Sequence, residues 1–293
     1  MLKKPSRYDS VTDRIKVSAI VITLNEEQKI ERCLKSITWV DEIIIVDSFS
    51  TDRTVEICKR YTDKVYQHPW PHSFSDQRAV AVNYTENEWI LALDADEVVT
   101  VALQQEIIDV FSKGPQVDLF MIPRKEYFAG KWIKAGGWYP QYKTILYRKS
   151  MGDWTGLIHM KVITRGTQGY LKSPILHDGY TGFKVFMDKF NYYSSVESEN
   201  DYIHHQKRFS LFRALFKPLE RFFGRFIRRR GYRDGIHGFF LAAVIAINYF
   251  LRELKLYEFE YKEKHKNDWD KEYQRTAAGT SPNFDDRSDK GKR

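Results

Sequence analysis

Residues 89–97, Trp-Ile-Leu-Ala-Leu-Asp94-Ala-Asp96-Glu97, constrain this chain more than any other stretch. An apolar run without polar alternation suits a strand covered on both faces, as in a parallel sheet. Three carboxylates, Asp94, Asp96 and Glu97, follow where such a strand would end. Open α/β sheets bind ligands beyond the carboxyl ends of their strands. Two aspartates one residue apart can hold a hard divalent cation such as Mg²⁺ or Mn²⁺, which takes one or two protein carboxylates and completes its shell with water and phosphate oxygens. The same spacing also fits a solvated turn capping the next helix, so the rest of the chain has to decide.

Two earlier stretches repeat the pattern. Residues 17–24 read as a buried strand followed by Asn25-Glu26-Glu27, then a helix with Ile30, Leu34 and Ile37 on one face. Residues 43–46 read as a second strand that also ends in a carboxylate, Asp47. The turn Ser48-Phe49-Ser50-Thr51-Asp52 has N-cap chemistry for a helix with Val55, Cys58 and Tyr61 inward. A short strand at 64–66, a helix at 75–84 and the strand at 89–94 continue the alternation. It predicts an α/β fold, a mostly parallel Rossmann-like sheet with helices on both faces. A helix at 101–111, with Leu103, Ile107 and Val110 inward, stops at Gly114-Pro115. Strands are expected at 117–122, 143–147 and 159–163, and residues 173–178 close this body. The loop at 131–140 is rich in Trp and Gly, and its Trp138 and Tyr139 offer flat faces on which sugar rings stack; a plain hairpin with packed tryptophans fits the same residues.

From about residue 183 the pattern is helical. Residues 204–233 carry a local charge of +9 against +8 for the whole chain, so everything else sits at −1. Phe212, Leu215, Phe216, Leu219, Phe222, Phe223 and Phe226 recur at helical spacing, with Arg213, Lys217, Arg221, Arg225 and Arg228 opposite and Pro218 as a kink or a new start. A basic, aromatic amphipathic helix suits the interface of an anionic membrane; the alternative is a packed helix with a solvated basic face. Nucleic-acid binding would want aromatics interleaved with the basic residues, so no nucleic-acid partner is expected. Residues 238–251 are apolar apart from Asn248 but, at about 21 Å of helix, fall short of the ~30 Å hydrocarbon core. They read as a buried or half-inserted helix. The expected organisation is a flexible 1–15, a catalytic domain at 16–182, a membrane-associating helical extension at 183–275 with surface contact through about 204–254, and a disordered 276–293. Cys33 and Cys58 fall in helices, which suits core packing in a reducing compartment. Residues 1–16 lack the apolar stretch of a secretory signal. The expected location is cytoplasmic, peripheral on the inner face of the cytoplasmic membrane.

Four blocks in order resemble glycosyltransferase family 2 with the GT-A fold: Ala19-Ile-Val-Ile-Thr-Leu-Asn25-Glu26; Val46-Asp47-Ser-Phe-Ser-Thr51-Asp52-Arg-Thr54; Leu93-Asp94-Ala-Asp96-Glu97; and Gly136-Gly-Trp-Tyr-Pro140. The last is similar to the branch of lipopolysaccharide core β-1,4-glucosyltransferases, which also ends in a basic amphipathic segment and an apolar helix. The resemblance implies a UDP-sugar donor, with Asp47 on the nucleobase and Thr23, Asn25, Glu26 and Arg78 lining the nucleotide pocket. It implies Asp94 on the ribose or metal, Asp96 on a Mg²⁺ or Mn²⁺ ion, and transfer with inversion to a lipid-linked saccharide. Trp138, Tyr139 and His159 would meet the acceptor.

Three residues depart from the family pattern. Phe49 stands where a glycine is usual, so the turn must avoid positive φ or change shape. Ala79 replaces an asparagine. Met160 replaces a glutamate that is the family's base candidate, leaving Asp153 and Asp178 as the nearest carboxylates to take the acceptor proton. A polyprenyl-phosphate acceptor is a close variant, and a non-catalytic sugar-nucleotide or anionic-surface binder is the alternative that Met160 raises. A nucleotidyltransferase would want a glycine-rich phosphate loop where Asn25-Glu26-Glu27 stand.

Overall fold

The computed structural model describes residues 15–277 except 72, 156–160 and 165. The elements run β1 (Val17–Thr23), α1 (Ile30–Ser36), β2 (Glu42–Asp47), α2 (Thr54–Cys58), β3 (Val65–Gln67), α3 (Phe74–Asn83), β4 (Trp89–Asp94), β5 (Glu97–Val99), α4 (Val101–Ser112), β6 (Leu119–Phe128) and β7 (Lys131–Trp132). Then come β8 (Gln141–Arg148), β9 (Gly152–Thr155), β10 (Lys161–Thr164), β11 (Gln168–Tyr170), β12 (Ile175–Tyr180), α5 (Phe183–Ile203), α6 (Leu211–Phe223) and α7 (Ile236–Ala277).

The main sheet is ordered β3-β2-β1-β4-β8-β6-β12-β5. Its first half is parallel, β3, β2, β1 and β4 running together. This half matches the apolar runs: β1 is buried at every residue, which needs cover on both faces. One layer places Ile30, Leu34, Ile37 and Leu103 against Val21, Leu91 and Leu93. The other places Ala81 with Ile20, Ile44, Ile90 and Tyr147. Beyond β4 the sheet is mixed rather than parallel, because β8 runs antiparallel to both β4 and β6. β5 and β12 also pair antiparallel, while β12 and β11 run parallel to β6. One inward position differs from expectation: Ile57 rather than Val55 is buried on α2. On α4, Phe111 is buried and Val110 packs partly buried against the same core. Directly after the D-x-D stretch the chain makes β5, an edge strand antiparallel to β12, before α4 begins at the Thr100 cap.

The chain divides into two compact units. One takes the chain up to Lys189 together with Phe222–Ala243; the other is Phe190–Arg221 and the chain from Val244 onward. The second unit is helical and polar-stitched. Arg252 pairs with Glu197 at 2.7 Å and Asp201 at 2.9 Å, and Lys255 reaches Ser194 and Ser195 at 2.7 Å. Asn248 donates to the Phe190 carbonyl at 3.2 Å, which accounts for the single polar break in the apolar run at 238–251. That run is the start of the long α7, with Leu241, Ala242, Val244, Ile245 and Ala246 buried. Among the described residues no helix is long and apolar enough to cross a membrane. Residues 278–293 lie outside the described residues.

Candidate active site

Strand register brings the expected donor residues to one level. Thr23 on β1 stands opposite Asp47 on β2, and Ile22 opposite Asp94 on β4. Three neighbouring strands therefore end together, with a carboxylate on each side of β1. Asp47 is fully buried, and its carboxylate accepts from the Ser50 amide at 2.9 Å, the Ser50 hydroxyl and Gln67 Nε2 at 3.2 Å. The loops after β1 and β2 interlock. The Asn25 amide donates to Ser50 Oγ at 2.8 Å, the Thr51 amide to Asn25 Oδ1 at 2.8 Å, and the Glu26 amide to Thr54 Oγ1 at 2.8 Å. The small polar residues of the second block thus hold the first block's backbone in place. Thr23 Oγ1 is buried and has no hydrogen-bond partner among the described residues. Phe49 adopts φ of +62°, the left-handed conformation that a glycine takes without cost. The phenylalanine bears the strain of that conformation, with its side chain about half exposed.

The D-x-D carboxylates sit in a ring of charges. Arg78, on the buried side of α3, ion-pairs with Asp94. The Asp94 amide donates to Glu97 Oε2 at 3.1 Å, so the third carboxylate holds the turn. Glu97 is buried and reaches Arg124 at 3.2 Å; Arg124 reaches Glu126; and Glu126 holds Nδ1 of His177. The other ring nitrogen of His177, Nε2, lies 3.4 Å from Asp96 Oδ1, and Lys189 Nζ lies 3.8 Å from Asp96 Oδ2. Burial alone would raise the Asp96 pKa, but the imidazolium beside it outweighs this and holds the carboxyl well below the usual range. Burial would likewise lower the His177 pKa, and the Asp96 charge lifts it instead, to about 10. Glu26 is pushed up by burial and by Asp96, and Glu97 by burial and by Asp94.

His177 has no part in the sequence expectations. Its signal was a His-Asp pair closing an apolar stretch. Its place is set by β12, which lies between β6 and β5 and so faces the turn that carries Asp96. Gly179 is required by this packing: a Cβ there would meet His177 Cε1 at 2.4 Å.

The donor set fits a hard divalent ion. Asp96 is ionised, Asp94 is partly exposed beside it, and the atoms they offer are carboxylate oxygens. Among the described residues no group of three or more His, Cys, Asp and Glu closes into a cage. An ion here would therefore rest on one or two carboxylates and draw its remaining ligands from water and phosphate.

The aromatic loop is tied to this ring. Trp138 lies 6.2 Å from Tyr180, edge to face, and Tyr180 lies 6.1 Å from His177. Tyr139 packs on Trp132 at 5.4 Å. The loop is fastened from a later segment that sequence reading missed. The Asp234 carboxylate accepts from the Lys134 amide at 3.1 Å and the Ala135 amide at 2.8 Å. Arg225 donates to the Gly136 carbonyl at 3.1 Å and stands over Trp138. Gly136 and Gly137 both take positive φ, and a Cβ on Gly137 would meet Arg229 Nη1 at 2.5 Å.

Of the base candidates, Asp178 donates its amide to the Asp96 carbonyl at 3.1 Å, while its carboxylate ion-pairs with Arg32 at 2.6 Å. Asp153 lies on β9 opposite Ile163. His159 and Met160 lie outside the described residues.

Comparison with known proteins agrees with this arrangement. The chain matches the family described as Glycosyl transferase family 2 over residues 18–177. An uncharacterized glycosyltransferase of Rickettsia typhi is 31% identical over 269 residues, which span 85% of this chain and 89% of that one. The lipopolysaccharide core biosynthesis glycosyltransferase LpsC of Rhizobium meliloti is 25% identical over 93% of this chain and 97% of its own. Among solved structures, S. aureus TarS 1–349 in complex with UDP-GlcNAc is similar with a TM-score of 0.43 and 16% identity, over 80% of this chain and 82% of that one. With strand-end carboxylates on both sides of β1 and a family match across the whole sheet, the chain belongs to glycosyltransferase family 2, an enzyme of the GT-A fold that transfers a sugar.

Proposed function

We propose that this enzyme moves glucose from UDP-glucose, with inversion, to a lipid-linked acceptor of the lipopolysaccharide inner core, at the cytoplasmic face of an anionic membrane. One observation carries the donor half: Asp47 and Asp94 leave the strands on either side of β1, and β1 itself ends in Thr23, whose buried hydroxyl has no partner among the described residues. A nucleobase amide can donate to Asp47, and Thr23 and the Asn25–Glu26 backbone line the same pocket. The family resemblance of Gly136–Pro140 and the likeness to LpsC support the acceptor class.

In this reading Asp96, with Asp94, would hold a divalent metal. When bound, that ion would stabilise the negative charge that grows on the departing nucleoside diphosphate. His177 keeps Asp96 ionised, and Lys189 adds positive charge on the same side. Trp138 and Tyr139 present aromatic faces to the acceptor sugar. Asp178 or Asp153 takes the proton of the attacking hydroxyl; Asp178 is already beside the ring through its amide and would have to leave Arg32 to act.

Thermal unfolding with Mn²⁺ and a panel of nucleotides tests the donor half, since a ligand that binds the folded state raises its melting temperature. UDP should raise it and the purine diphosphates should not, and Asp96→Asn should remove the Mn²⁺-dependent part. No response to any nucleotide would end the donor assignment. Product formation from UDP-glucose on core saccharide or on polyprenyl phosphate then separates the two acceptors.

A further inference from the structure

The amphipathic helix is turned the opposite way from a helix that packs its apolar face and solvates its charges. Leu211, Phe212, Leu215, Phe216, Leu219 and Phe223 on α6 are each between 53 and 68% exposed. The buried residue of α6 is Ala214, in the middle of the basic side. The basic residues there already have partners. Arg213 pairs with the buried Glu253 at 2.8 Å, Lys217 with Glu220 at 2.5 Å, and Arg221 stacks on Tyr249 at 4.6 Å. The spacing of the exposed residues, mostly four apart, keeps them on one slowly turning stripe along a continuous helical run. Three phenylalanines alone, at about 200 Å² each, expose about 350 Å². With the leucines the ridge exceeds what a soluble monomer usually leaves as its largest apolar patch, roughly 300–600 Å².

The residues just past the ridge identify its occupant. Ile227 continues it, and then come Arg228, Arg229, Arg230 and Arg233, all exposed. Among the described residues none of these four arginines is ion-paired to a carboxylate, unlike Arg213 earlier in the same run. An apolar ridge joined at one end to unpaired guanidiniums complements a surface that is apolar below and phosphate-bearing above. A run of 17 residues, Leu211 to Ile227, is about 25 Å of helix, enough to lie along such a surface.

We propose that this run docks the enzyme on an anionic bilayer, with the ridge from Leu211 to Ile227 below the phosphate plane and Arg228, Arg229, Arg230 and Arg233 in it. The proposal deepens the membrane part of the proposed function and rests on it. It makes insertion, not surface charge, the main source of affinity, because most of the helix's own basic residues are spent on internal partners.

The test is co-sedimentation of the full chain with vesicles of phosphatidylethanolamine and phosphatidylglycerol, and with phosphatidylcholine alone. The wild type should bind the anionic vesicles at least tenfold more tightly, and 0.5 M NaCl should weaken this by no more than about tenfold. Phe212→Ser with Phe216→Ser should weaken it about a hundredfold, the transfer of two half-exposed rings. Both residues are exposed, so the variant's melting temperature and its UDP response should match the wild type. Arg228→Gln with Arg233→Gln should remove the preference for anionic vesicles and leave the weaker binding to neutral ones. Unchanged vesicle binding by the phenylalanine variant would overturn the proposal. So would complete loss of wild-type binding in salt. A wild-type dimer that the same variant dissociates, without change in vesicle binding, would assign the ridge to a second copy instead. The UDP response is read separately, so failure of the donor assignment leaves the vesicle result intact.

Discussion

Replacing Gly179 with alanine should damage the contact between His177 and Asp96 without touching either residue. The added Cβ would lie 2.4 Å from His177 Cε1, 2.6 Å from Nε2 and 3.3 Å from Asp96 Oδ2. Carbon atoms pack at about 3.5–4.0 Å, so the overlap with the ring is about 1 Å. The ring has little room to yield, because it is buried and its Nδ1 is held by the buried Glu126. The strand is paired on both sides as far as His177, and its register with β6 shifts between His177 and Tyr180. Overpacking of this kind costs about 1–3 kcal/mol. For a chain of this size about 2 kcal/mol lowers the melting temperature by roughly 4–8 °C. Gly182 is the control: an added Cβ there meets nothing within 4 Å, and Gly182→Ala should leave the melting temperature where it was. Thermal unfolding of four proteins decides the cause: wild type, Gly179→Ala, His177→Ala and the double variant. If the clash with the imidazole is responsible, Gly179→Ala should cost at least about 1 kcal/mol less when His177 is already alanine. Equal losses in both backgrounds would refute the assignment, as would equal melting temperatures for Gly179→Ala and Gly182→Ala.

Three further changes probe other parts of the molecule. Phe49→Gly should stabilise the protein by about 0.5–1 kcal/mol, because the left-handed conformation costs a side chain about 1–2 kcal/mol and glycine's unfolded-state entropy returns part of that; chemical denaturation measures it, and a loss of stability would mean the ring packs more than its exposure suggests. Glu42 is buried, and although burial works to raise its pKa, Lys64 and the Ser18 hydroxyl hold it below its ordinary 4.5. Its stabilising contribution is therefore present above pH 4.5 and lost as the pH falls through the depressed value, so Glu42→Gln should cost about 1.5–3 kcal/mol at pH 7 and flatten the acid limb of a stability profile. Asp234→Ala frees the two loop amides it holds and should raise the acceptor KM about tenfold, with the UDP-induced thermal shift unchanged; an equal loss in donor binding would mean the loop serves the donor.

The parallel half of the fold was legible because its signals are local. Each of β1, β2 and β4 is a short apolar run, and each is followed by its own polar turn, so pattern and partner lie within a few residues of each other. The mixed half was not, because its pairings join distant segments. Nothing near residue 97 announces an antiparallel partner at 175–177. His177 and Asp234 were missed for the same reason: Lys131 reaches the Asp234 carbonyl across 103 residues, and no periodicity encodes such a contact. The orientation of α6 shows a different limit. A helical pattern of apolar and basic residues defines two faces but does not say which is inward. Glu253, far downstream in α7, decides it by giving Arg213 a buried partner.

The two halves of the site are also built from different material, and this bears on how the enzyme can change. The donor end is made of strand termini in register and of loops that bond to each other within residues 23–54, so altering one contact strains its neighbours. The loop proposed to meet the acceptor has no such local frame: two of its glycines take positive φ, which costs other residues, and its shape comes from Asp234 and Arg225, which belong to the segment after α6. Changes in that segment can therefore reshape the loop proposed to meet the acceptor while Asp47, Asp94 and Asp96 keep their positions. The bridge between the halves is β12. It supplies His177 to Asp96 on one side and Tyr180 to Trp138 on the other, within four residues of one strand. In the proposed reading, an acceptor that moves Trp138 has a packed path of two aromatic contacts to the imidazole beside Asp96.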